Sequence, residues 1–439
     1  MALTDEQKVI RNDTGKRIAE NIAALTKQLA RGSHVLYAFH IDGSESDPSA
    51  MVTYLEDAVG MTPAAMDYTN GVFNYGSWKD AFFMPRPCMV RQTGGVAYYL
   101  DPDDYTKKEN GTASDIADTS YPGNAMMEWG QNGKKIWYKV VPDSGDPTSG
   151  TVYISDTRLD PDYHAWSFIN NQGVEVNHFY TPIYNGSTVQ DSNSVNVQRS
   201  MSGLAPTQSL TGTEEITRCS ANNKDSNTCW YTEVLADRIL INFLLILMGK
   251  SVDTETVFGN GLVTGSQTAL NNYRSGSLND KGLFFGYNDQ THAVKVFGME
   301  NWWGAQWRRL AGYVLSSGTQ KIKLTWGTQD GSAAEGYNTD GTNYISIGIT
   351  PTGTSGGYID TMNFNEYGMF GKNMGGTGSG SSAYYCDAQW FNTSGDRYAY
   401  FGGASDAGLK CGAFCCALNN TVSYSRWYVG AAPSYKPLA

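Results

Sequence analysis

The feature that most constrains the fold is a ten-residue apolar run, Ile239–Met248 (ILINFLLILM). It lies within a predicted helix over residues 233–248, and a helix that is apolar on nearly every side must be buried. The run contains Asn242 and is flanked by Arg238 and Lys250. Because about twenty apolar residues are needed to cross a bilayer, we predict a core helix and no membrane insertion.

Around this helix the sequence predicts a β-rich protein of the α+β class. Short apolar segments alternate with Gly, Asp, Asn and Pro, and 49 glycines with 13% aromatic residues favour a folded chain with many turns over disorder. The predicted strands cover residues 34–41, 96–100, 135–141, 151–154, 166–169, 178–184, 282–286, 293–298, 321–326, 344–349 and 427–431.

Segments rich in proline, tryptophan or glycine lead to further predictions. The segment Pro85–Cys88 is excluded from a central strand, because proline donates no hydrogen bond to a neighbouring strand. A shorter helix is predicted over residues 301–315, where three tryptophans and Leu310 crowd one surface. The Gly/Ser/Thr-rich stretches 350–357 and 375–382 are predicted to be loops inside a domain.

Residues 1–31 differ from the rest of the chain, since they contain no aromatic residue. Thr4 and Gln7 form a capping-box pattern that predicts the start of a helix. Four apolar residues at heptad spacing follow, namely Ile18, Ile22, Leu25 and Leu29. Such a helix is either an oligomerisation or docking segment or a single helix packed on its own domain.

The remaining chain divides at a loop, Asp143–Gly150 (DSGDPTSG), which is a plausible domain boundary. Residues 32–150 are then predicted to form a β-rich adaptor domain, and residues 151–439 a large C-terminal domain. The N-terminus lacks the basic-then-apolar pattern of a secretory signal.

Charge and motifs exclude several function classes. A net charge of −11 without a basic stripe argues against nucleic acid as a partner. No HExxH, CxxC, GxSxG or P-loop motif occurs, so we predict no catalytic residue, no metal ligand and no cofactor.

Glu214 and Glu215 form a carboxylate pair compatible with acid–base chemistry, and the acidic run at residues 100–105 (LDPDDY) is predicted to be a solvated turn. The seven cysteines are predicted to be mostly reduced, with a Cys219–Cys229 disulfide left open.

The last 60 residues combine few charges with Tyr, Ser, Gly and Asn in no regular period. A pattern without period indicates that packing does not set side-chain identity, and this composition is typical of an adaptable recognition surface. The alternative is an ordinary β-rich terminus that closes a sheet.

Five segments carry a resemblance to a known family. They are WSFINNQGVEVNHFYTPIYNG, TEVLADRILINFLLILMGKS, FGMENWWGAQWRRLAGYV, YYCDAQWFNTSGDRYAYFGG and LNNTVSYSRWYVGAAPSYKPLA. Together they resemble the C-type-lectin-fold variable proteins of diversity-generating retroelements, which include phage tropism determinants. The resemblance covers residues from about 155 to 439 and is looser before residue 150, where the chain resembles tail-associated segments.

The resemblance implies that a reverse transcriptase diversifies Asn codons by miscopying adenines, in a region of about residues 395–430. Eleven residues there are reachable from an Asn codon and are the implied ligand-binding positions: Tyr398, Tyr400, Ala404, Ser405, Asp406, Phe414, Cys416, Ala417, Tyr424, Arg426 and Tyr428. Lys410 and Trp427 are not reachable and belong to the framework. Asn419 and Asn420 are compatible with either origin, with framework favoured, and Cys411 remains ambiguous, as does Cys415.

The implied function is a non-enzymatic, phage or prophage receptor-binding adhesin at a tail tip or fibre. It is made in the bacterial cytoplasm, assembled into the virion with other tail proteins, and binds a host-cell surface receptor. A homo-oligomer is expected, with a trimer favoured. One alternative is a structural tail protein whose lectin-like domain mediates assembly; another is an enzyme, since the fold resembles formylglycine-generating enzymes and Cys411, Cys415 and Cys416 cluster.

Overall fold

A computed structural model of the chain describes residues 32–327 and 336–438, together with residues 15 and 18. The protein is β-rich with few helices, as predicted: 34% of the residues are in strands and 12% in helices. The predicted helix and heptad pattern of residues 1–31 lie outside the described residues apart from those two positions.

The strands are numbered in chain order. They are β1 (Leu36–Ile41), β2 (Val52–Glu56), β3 (Ala65–Asp67), β4 (Val72–Asn74), β5 (Arg86–Arg91), β6 (Val96–Tyr99), β7 (Gly123–Trp129), β8 (Trp137–Asp143), β9 (Asp146–Ser155), β10 (Phe179–Pro182), β11 (Gly186–Gln190), β12 (Asn196–Ser200), β13 (Trp230–Thr232), β14 (Lys295–Val296), β15 (Met299–Glu300), β16 (Trp307–Ser316), β17 (Thr319–Ile322), β18 (Ile345–Ser346), β19 (Thr352–Gly353), β20 (Gly356–Asn365), β21 (Gly368–Met374), β22 (Ala388–Phe391), β23 (Arg397–Phe401), β24 (Cys416–Leu418), β25 (Val429–Gly430) and β26 (Pro433–Tyr435).

The described helices are short except for one. They are α1 (Gly212–Ser220), α2 (Leu235–Gly249), α3 (Thr254–Phe258) and α4 (Ser266–Asn272), with single 3₁₀ turns at Gln131–Gly133, Trp166–Phe168 and Gly408–Lys410. Among the described residues, no helix combines the length and apolarity that a bilayer span requires.

Three sheets form most of the described fold. A four-stranded antiparallel sheet has the order β2-β1-β9-β8, and a six-stranded sheet the order β13-β26-β10-β7-β5-β6. The largest sheet has ten strands in the order β18-β17-β16-β23-β24-β22-β20-β21-β19, with β25 paired to β16, and it curls into half a barrel.

Helix α2 confirms the prediction of a core helix. Every residue from Leu235 to Met248 is buried. On one side the Phe243 ring contacts Phe39 and Tyr138 of the four-stranded sheet, with ring centroids 6.2 and 5.7 Å apart. The helix also packs against β16 of the ten-stranded sheet. The helix therefore contacts both sheets.

The prediction of a helix over residues 301–315 is wrong, because Trp307–Ser316 form strand β16. All ten residues of this strand are buried, so it shows no alternation of apolar and polar side chains. A strand that is covered on both faces has no period that distinguishes it from a buried helix. The two charged residues inside it, Arg308 and Arg309, are paired with the buried carboxylates of Glu233 and Glu215.

The exclusion of Pro85–Cys88 from a central strand is also wrong. Strand β5 begins at Arg86 and lies between β6 and β7. In an antiparallel sheet the N–H and C=O groups of one residue point to the same neighbouring strand. The Pro87 carbonyl accepts from the Leu100 N–H, just beyond the end of β6, so the N–H that Pro87 lacks would also point toward β6. The hydrogen bonds between β5 and β7 are therefore unaffected by Pro87.

Three smaller predictions need correction. In the segment 166–169 the structure has a 3₁₀ turn, Trp166–Phe168, whose three residues are buried and do not alternate. Residues 282–286 contribute only an isolated bridge at Phe285. The predicted loop at 143–150 is a tight hairpin turn between β8 and β9, which are paired through Asp143 and Asp146.

The proposed boundary at residue 150 thus lies inside β9. The six-stranded sheet also joins β5, β6 and β7 to β10, β13 and β26. Residues before and after position 150 therefore share a sheet as well as a hydrophobic core. The predicted strands at 34–41, 96–100, 135–141 and 178–184 are confirmed to within a few residues as β1, β6, β8 and β10.

Candidate functional site

Three neighbouring strands of the ten-stranded sheet place two large aromatic side chains on either side of a small one. Trp390 on β22 is in register with Ala417 on β24, which is in register with Tyr400 on β23. Directly opposed residues share one face of a sheet, so Ala417 leaves a depression between the two rings. The Trp307 ring on β16 meets the Trp390 and Tyr400 rings edge-on, with centroids 5.6 and 5.1 Å away.

This depression opens into a groove of about 330 Å³, which we call the aromatic groove. Its lining residues are Trp307, Trp390, Tyr400, Asp406, Ala407, Ala417, Asn419, Asn420, Tyr424 and Tyr428. Five predicted variable positions meet here, namely Tyr400, Asp406, Ala417, Tyr424 and Tyr428. A volume of this size and an aromatic lining with a few polar groups are typical of ligand sites.

Hydrogen bonds within the groove determine which polar groups are available to a ligand. The Tyr400 hydroxyl donates to Asn419 Oδ1 at 3.0 Å and accepts from Asn420 Nδ2. Asn420 Nδ2 also donates to Asn419 Oδ1 at 2.8 Å. Among the described residues, Asn419 Nδ2 and Asn420 Oδ1 have no hydrogen-bond partner. The groove therefore offers an amide donor and an amide acceptor on adjacent residues.

Two further tyrosines complete the rim. The Tyr424 ring lies parallel to the Tyr400 ring at a centroid distance of 6.5 Å, and its hydroxyl shares a hydrogen bond with the Tyr428 hydroxyl. Burial raises the pKa of Tyr400 and of Tyr428. Both phenols are therefore neutral at physiological pH and act as hydrogen-bonding groups. Arg426 is exposed beside the rim, with Cζ 5.1 Å from the Tyr424 ring centroid.

Residues 419–428, which we call the display loop, connect β24 to β25 and form no regular structure. Framework groups hold this loop through its backbone carbonyls. The contacts are Gly212 N–H to Val422 (2.8 Å), Arg309 Nη2 to Tyr424 (2.7 Å), Gln306 Nε2 to Trp427 (3.2 Å) and Trp307 N–H to Tyr428 (2.8 Å). The side chains of Tyr424, Arg426 and Tyr428 take no part in these four hydrogen bonds, whereas the side chains of Val422 and Trp427 pack on the core.

Residues 402–415, which we call the inner loop, connect β23 to β24 and pack differently. Ala404, Ser405 and Phe414 are buried, as are Tyr398 and Cys416 in the flanking strands. The Ser405 hydroxyl donates to the Ser266 carbonyl at 2.8 Å. Tyr400 and Ala417, which line the aromatic groove, are buried as well. Seven of the eleven implied ligand-binding positions are therefore buried, and the other four, Asp406, Tyr424, Arg426 and Tyr428, are exposed or partly exposed.

A buried carboxyl pair lies beneath the inner loop. Asp387 Oδ2 accepts the Phe414 N–H at 2.6 Å, and a Cβ placed on Gly412 would lie 1.9 Å from Asp387 Oδ1 and 2.3 Å from Glu255 Oε1. Burial raises the pKa of Asp387 to about 8. Burial and the neighbouring Asp387 raise the pKa of Glu255 well above its ordinary value. Only glycine fits above this pair.

Sequence reasoning missed the part of Trp390 in the site and assigned Trp307 to a helix. The contact between Trp390 and Ala417 depends on parallel pairing of β22 with β24, which no local period encodes. The only signal was the position of Trp390 within the segment YYCDAQWFNTSGDRYAYFGG.

The other chemical candidates have structural roles. Glu214 caps helix α1 by accepting from the Thr211 N–H at 2.8 Å, and Glu215 pairs with Arg309. The run at residues 100–105 forms the predicted turn, in which Asp101 Oδ1 accepts the Asp103 N–H. All seven cysteines are buried and unpaired, including the two for which a disulfide was left open. The described residues contain no group of three His, Cys, Asp or Glu side chains suited to a metal ion.

No protein-family model matches the chain, and no curated protein matches it.

Proposed function

We propose that the chain is a non-enzymatic receptor-binding adhesin of a phage or prophage tail tip or fibre. Its C-terminal part is a C-type-lectin-like domain that presents retroelement-diversified residues to a host-cell surface receptor. The observation that carries this proposal is the attachment of the display loop through backbone carbonyls. A loop held in this way keeps its course when its side chains change, which a diversified binding surface requires.

The aromatic groove supplies the binding chemistry. Tyrosine and tryptophan are the side chains that most often dominate binding energy at recognition surfaces, and Trp390, Tyr424 and Tyr428 are partly exposed here. Each offers a large rigid face with a polar tip. The free amide groups of Asn419 and Asn420 add directional hydrogen bonds. In this proposal the groove binds its ligand through aromatic contacts and hydrogen bonds, without a bound cofactor.

Attachment is multivalent in this proposal. The segment 1–31 joins copies of the chain into a homo-oligomer, with a trimer favoured, within the virion tail. Several copies that bind one cell surface raise the effective affinity by orders of magnitude when the sites are reached together. A modest affinity for each groove is then sufficient for adsorption.

The proposal is tested by adsorption of virions that carry the triple substitution Tyr424→Ala, Arg426→Ala and Tyr428→Ala. We expect assembled particles that no longer adsorb to the host that propagates the parent phage. The matched control is Tyr153→Ala, Arg158→Ala and Tyr367→Ala, which removes the same side-chain types at positions outside the groove. Normal adsorption of the triple variant would refute the proposal, and failure of particle assembly would favour a structural tail protein.

The diversification itself has a separate test in the nucleotide sequence. We expect a near-copy of the last 40 or so codons beside a reverse-transcriptase gene, with Asn codons at the variable positions. A copy that differs at framework codons such as those of Lys410 and Trp427 would contradict the assignment of the variable residues.

A further inference from the structure

A second cavity adjoins the aromatic groove on the other side of Trp390. It measures about 610 Å³ and is lined by Ser355, Gly356, Trp390, Phe391, Asn392, Thr393 and Asn419. Trp390 and Asn419 line both cavities. The two cavities therefore form one binding surface, with the Trp390 indole and the Asn419 amide at their junction.

The second cavity lies almost entirely outside the region predicted to vary. Of its lining residues only Asn419 falls within residues 395–430, and Asn419 is favoured as a framework residue. The side of the surface formed by residues 355–356 and 391–393 is thus constant, whereas Tyr424, Tyr428 and Asp406 on the other side change between variants.

Trp390 is held firmly although it is partly exposed. Gly356 is in register with Trp390 on the neighbouring strand, and a Cβ at Gly356 would lie 2.3 Å from Trp390 Cδ1. The indole therefore rests directly on the Gly356 backbone, while the Trp307 ring contacts it edge-on. A ring fixed on two sides loses little freedom on binding, which favours affinity.

The lining indicates the chemical class of the ligand. Among the described residues, no charged side chain lines the second cavity, and Asp406 is the one charged residue that lines the first. Lys410 Nζ lies 5.9 Å from the Trp390 ring centroid but lines neither cavity. The lining groups are aromatic faces, hydroxyls and amides, of which Asn392 Oδ1 already accepts the Ser394 N–H at 2.9 Å. Arg426 lies beside the rim of the first cavity, next to Tyr424, but it lines neither cavity. Among its described lining residues, the second cavity thus has no cation for an anionic ligand, whereas a neutral ligand with many hydroxyls and an apolar face matches its lining.

We infer that Trp390 and the cavity of residues 355–356 and 391–393 form a constant subsite for a neutral saccharide unit, adjoining the variable groove. This inference rests on the proposed function of the groove as a ligand site. The constant subsite binds a sugar unit that different receptors share, and the variable residues select the units linked to it. Diversification then changes which glycan is preferred without loss of the common anchor.

The inference is tested with the full chain on an array of neutral and acidic bacterial surface oligosaccharides. We expect binding to neutral members, and a loss of about tenfold or more in affinity for Trp390→Ala, the size typical of a buried aromatic contact. Asn392→Ala with Thr393→Ala is expected to weaken binding to all bound glycans by a similar factor. Ser394→Ala, an exposed neighbour that does not line the cavity, is the control and leaves affinity unchanged.

Two variants separate the constant from the variable side. Tyr424→Ala with Tyr428→Ala is expected to change the order of preference among glycans, whereas the Asn392 and Thr393 double variant keeps that order. Because Trp390 packs on Gly356, Trp390→Phe provides a variant that retains the packing and is expected to bind with intermediate affinity. Binding that is restricted to acidic glycans, or is unaffected by Trp390→Ala and the Asn392 and Thr393 double variant, overturns the inference.

Failure of this inference is distinguishable from failure of the proposed function. If no glycan binds but adsorption still depends on Tyr424, Arg426 and Tyr428, the adhesin stands and its receptor is a protein. If neutral glycans bind through Trp390 but adsorption ignores the three variable residues, the saccharide site stands and the proposed role of the variable groove fails.

Discussion

The inner loop and the display loop are both irregular, and both lie in the region predicted to be diversified, but they differ in what holds them. Inner-loop side chains such as Phe414 are buried in the core. The display loop is held by its backbone carbonyls and by Val422 and Trp427, which pack on the core, whereas Tyr424 and Tyr428 line the groove and Arg426 is exposed. Residues that are equally accessible to codon change therefore differ in structural freedom, and we expect tolerated diversity to concentrate in the display loop and along the groove.

The largest expected effect is on the inner loop. Phe414→Ala removes a buried ring that packs in the same core as helix α2, and such truncations cost about 3–5 kcal/mol of unfolding free energy. Tyr428→Ala in the display loop truncates another aromatic residue, which is only partly buried, and is expected to cost less than about 1 kcal/mol. Chemical denaturation of both variants measures the difference. Equal losses would remove the distinction between the two loops.

The next effect concerns the display-loop anchors. Gln306 is 2% exposed, and its Nε2 donates to the carbonyls of Thr207, Trp427 and Val429 at 2.9, 3.2 and 3.3 Å. Gln306→Ala removes this donor from the buried Val429 carbonyl and from two part-buried carbonyls, and a buried acceptor left without its donor costs about 1–3 kcal/mol. We expect faster amide hydrogen exchange in residues 419–430 by mass spectrometry. Gln208→Ala, which removes an exposed amide contact, is the control, and unchanged exchange in Gln306→Ala would show that this anchor is dispensable.

Helix α2 and strand β16 show how far the sequence predicts the fold. Helix α2 was predictable because one contiguous apolar run identifies it as a buried helix. Strand β16 was not, because full burial removes the alternation that identifies a strand, and its two arginines are neutralised by partners about 75 and 94 positions away in the chain.

Five of the eleven implied ligand-binding positions line the aromatic groove, but the sequence did not predict which of the eleven are buried. The composition and motifs of the C-terminal region identified Tyr424 and Tyr428, which line the groove. Codon accessibility describes how a position can change, and it contains no information on packing, so it did not distinguish buried Phe414 from Tyr428. The junction at Trp390 required the pairing of β22 with β24, which depends on the whole sheet.

A third prediction tests the base of the inner loop through pH. The pKa of Asp387 is raised to about 8 by burial, so between about pH 4 and 8 the folded chain retains a proton that the unfolded chain has released. This contribution to stability is present below about pH 4 and is lost as the pH rises to 8. Asp387→Asn keeps an oxygen for the Phe414 N–H and does not titrate. From pH 5 to 8 we expect the unfolding free energy of Asp387→Asn to fall by less than that of the parent, and we expect the two falls to differ by more than about 1 kcal/mol.

The control for this pH profile is a carboxylate whose pKa is lowered instead of raised. Hydrogen bonds from Ser49 lower the pKa of the exposed Asp47, so its contribution is present at neutral pH and is lost only as the pH falls through its lowered pKa. Asp47→Asn should therefore leave the region from pH 5 to 8 unchanged. If the unfolding free energies of the parent and Asp387→Asn depend on pH in the same way, Asp387 does not retain a proton in the folded chain.

The smallest expected effect on stability is at the edge of the display loop. Arg426 is exposed, and its side-chain hydrogen bond is to the carbonyl of the adjacent Ser425. Arg426→Ala should change the unfolding free energy by no more than about 0.5 kcal/mol, as is usual for exposed residues. Because Arg426 lies beside the Tyr424 ring, the same variant should still alter adsorption. A loss of stability above about 1 kcal/mol would mean that the display-loop side chains are structural, and the contrast with the inner loop would then fail at the position where it is expected to be clearest.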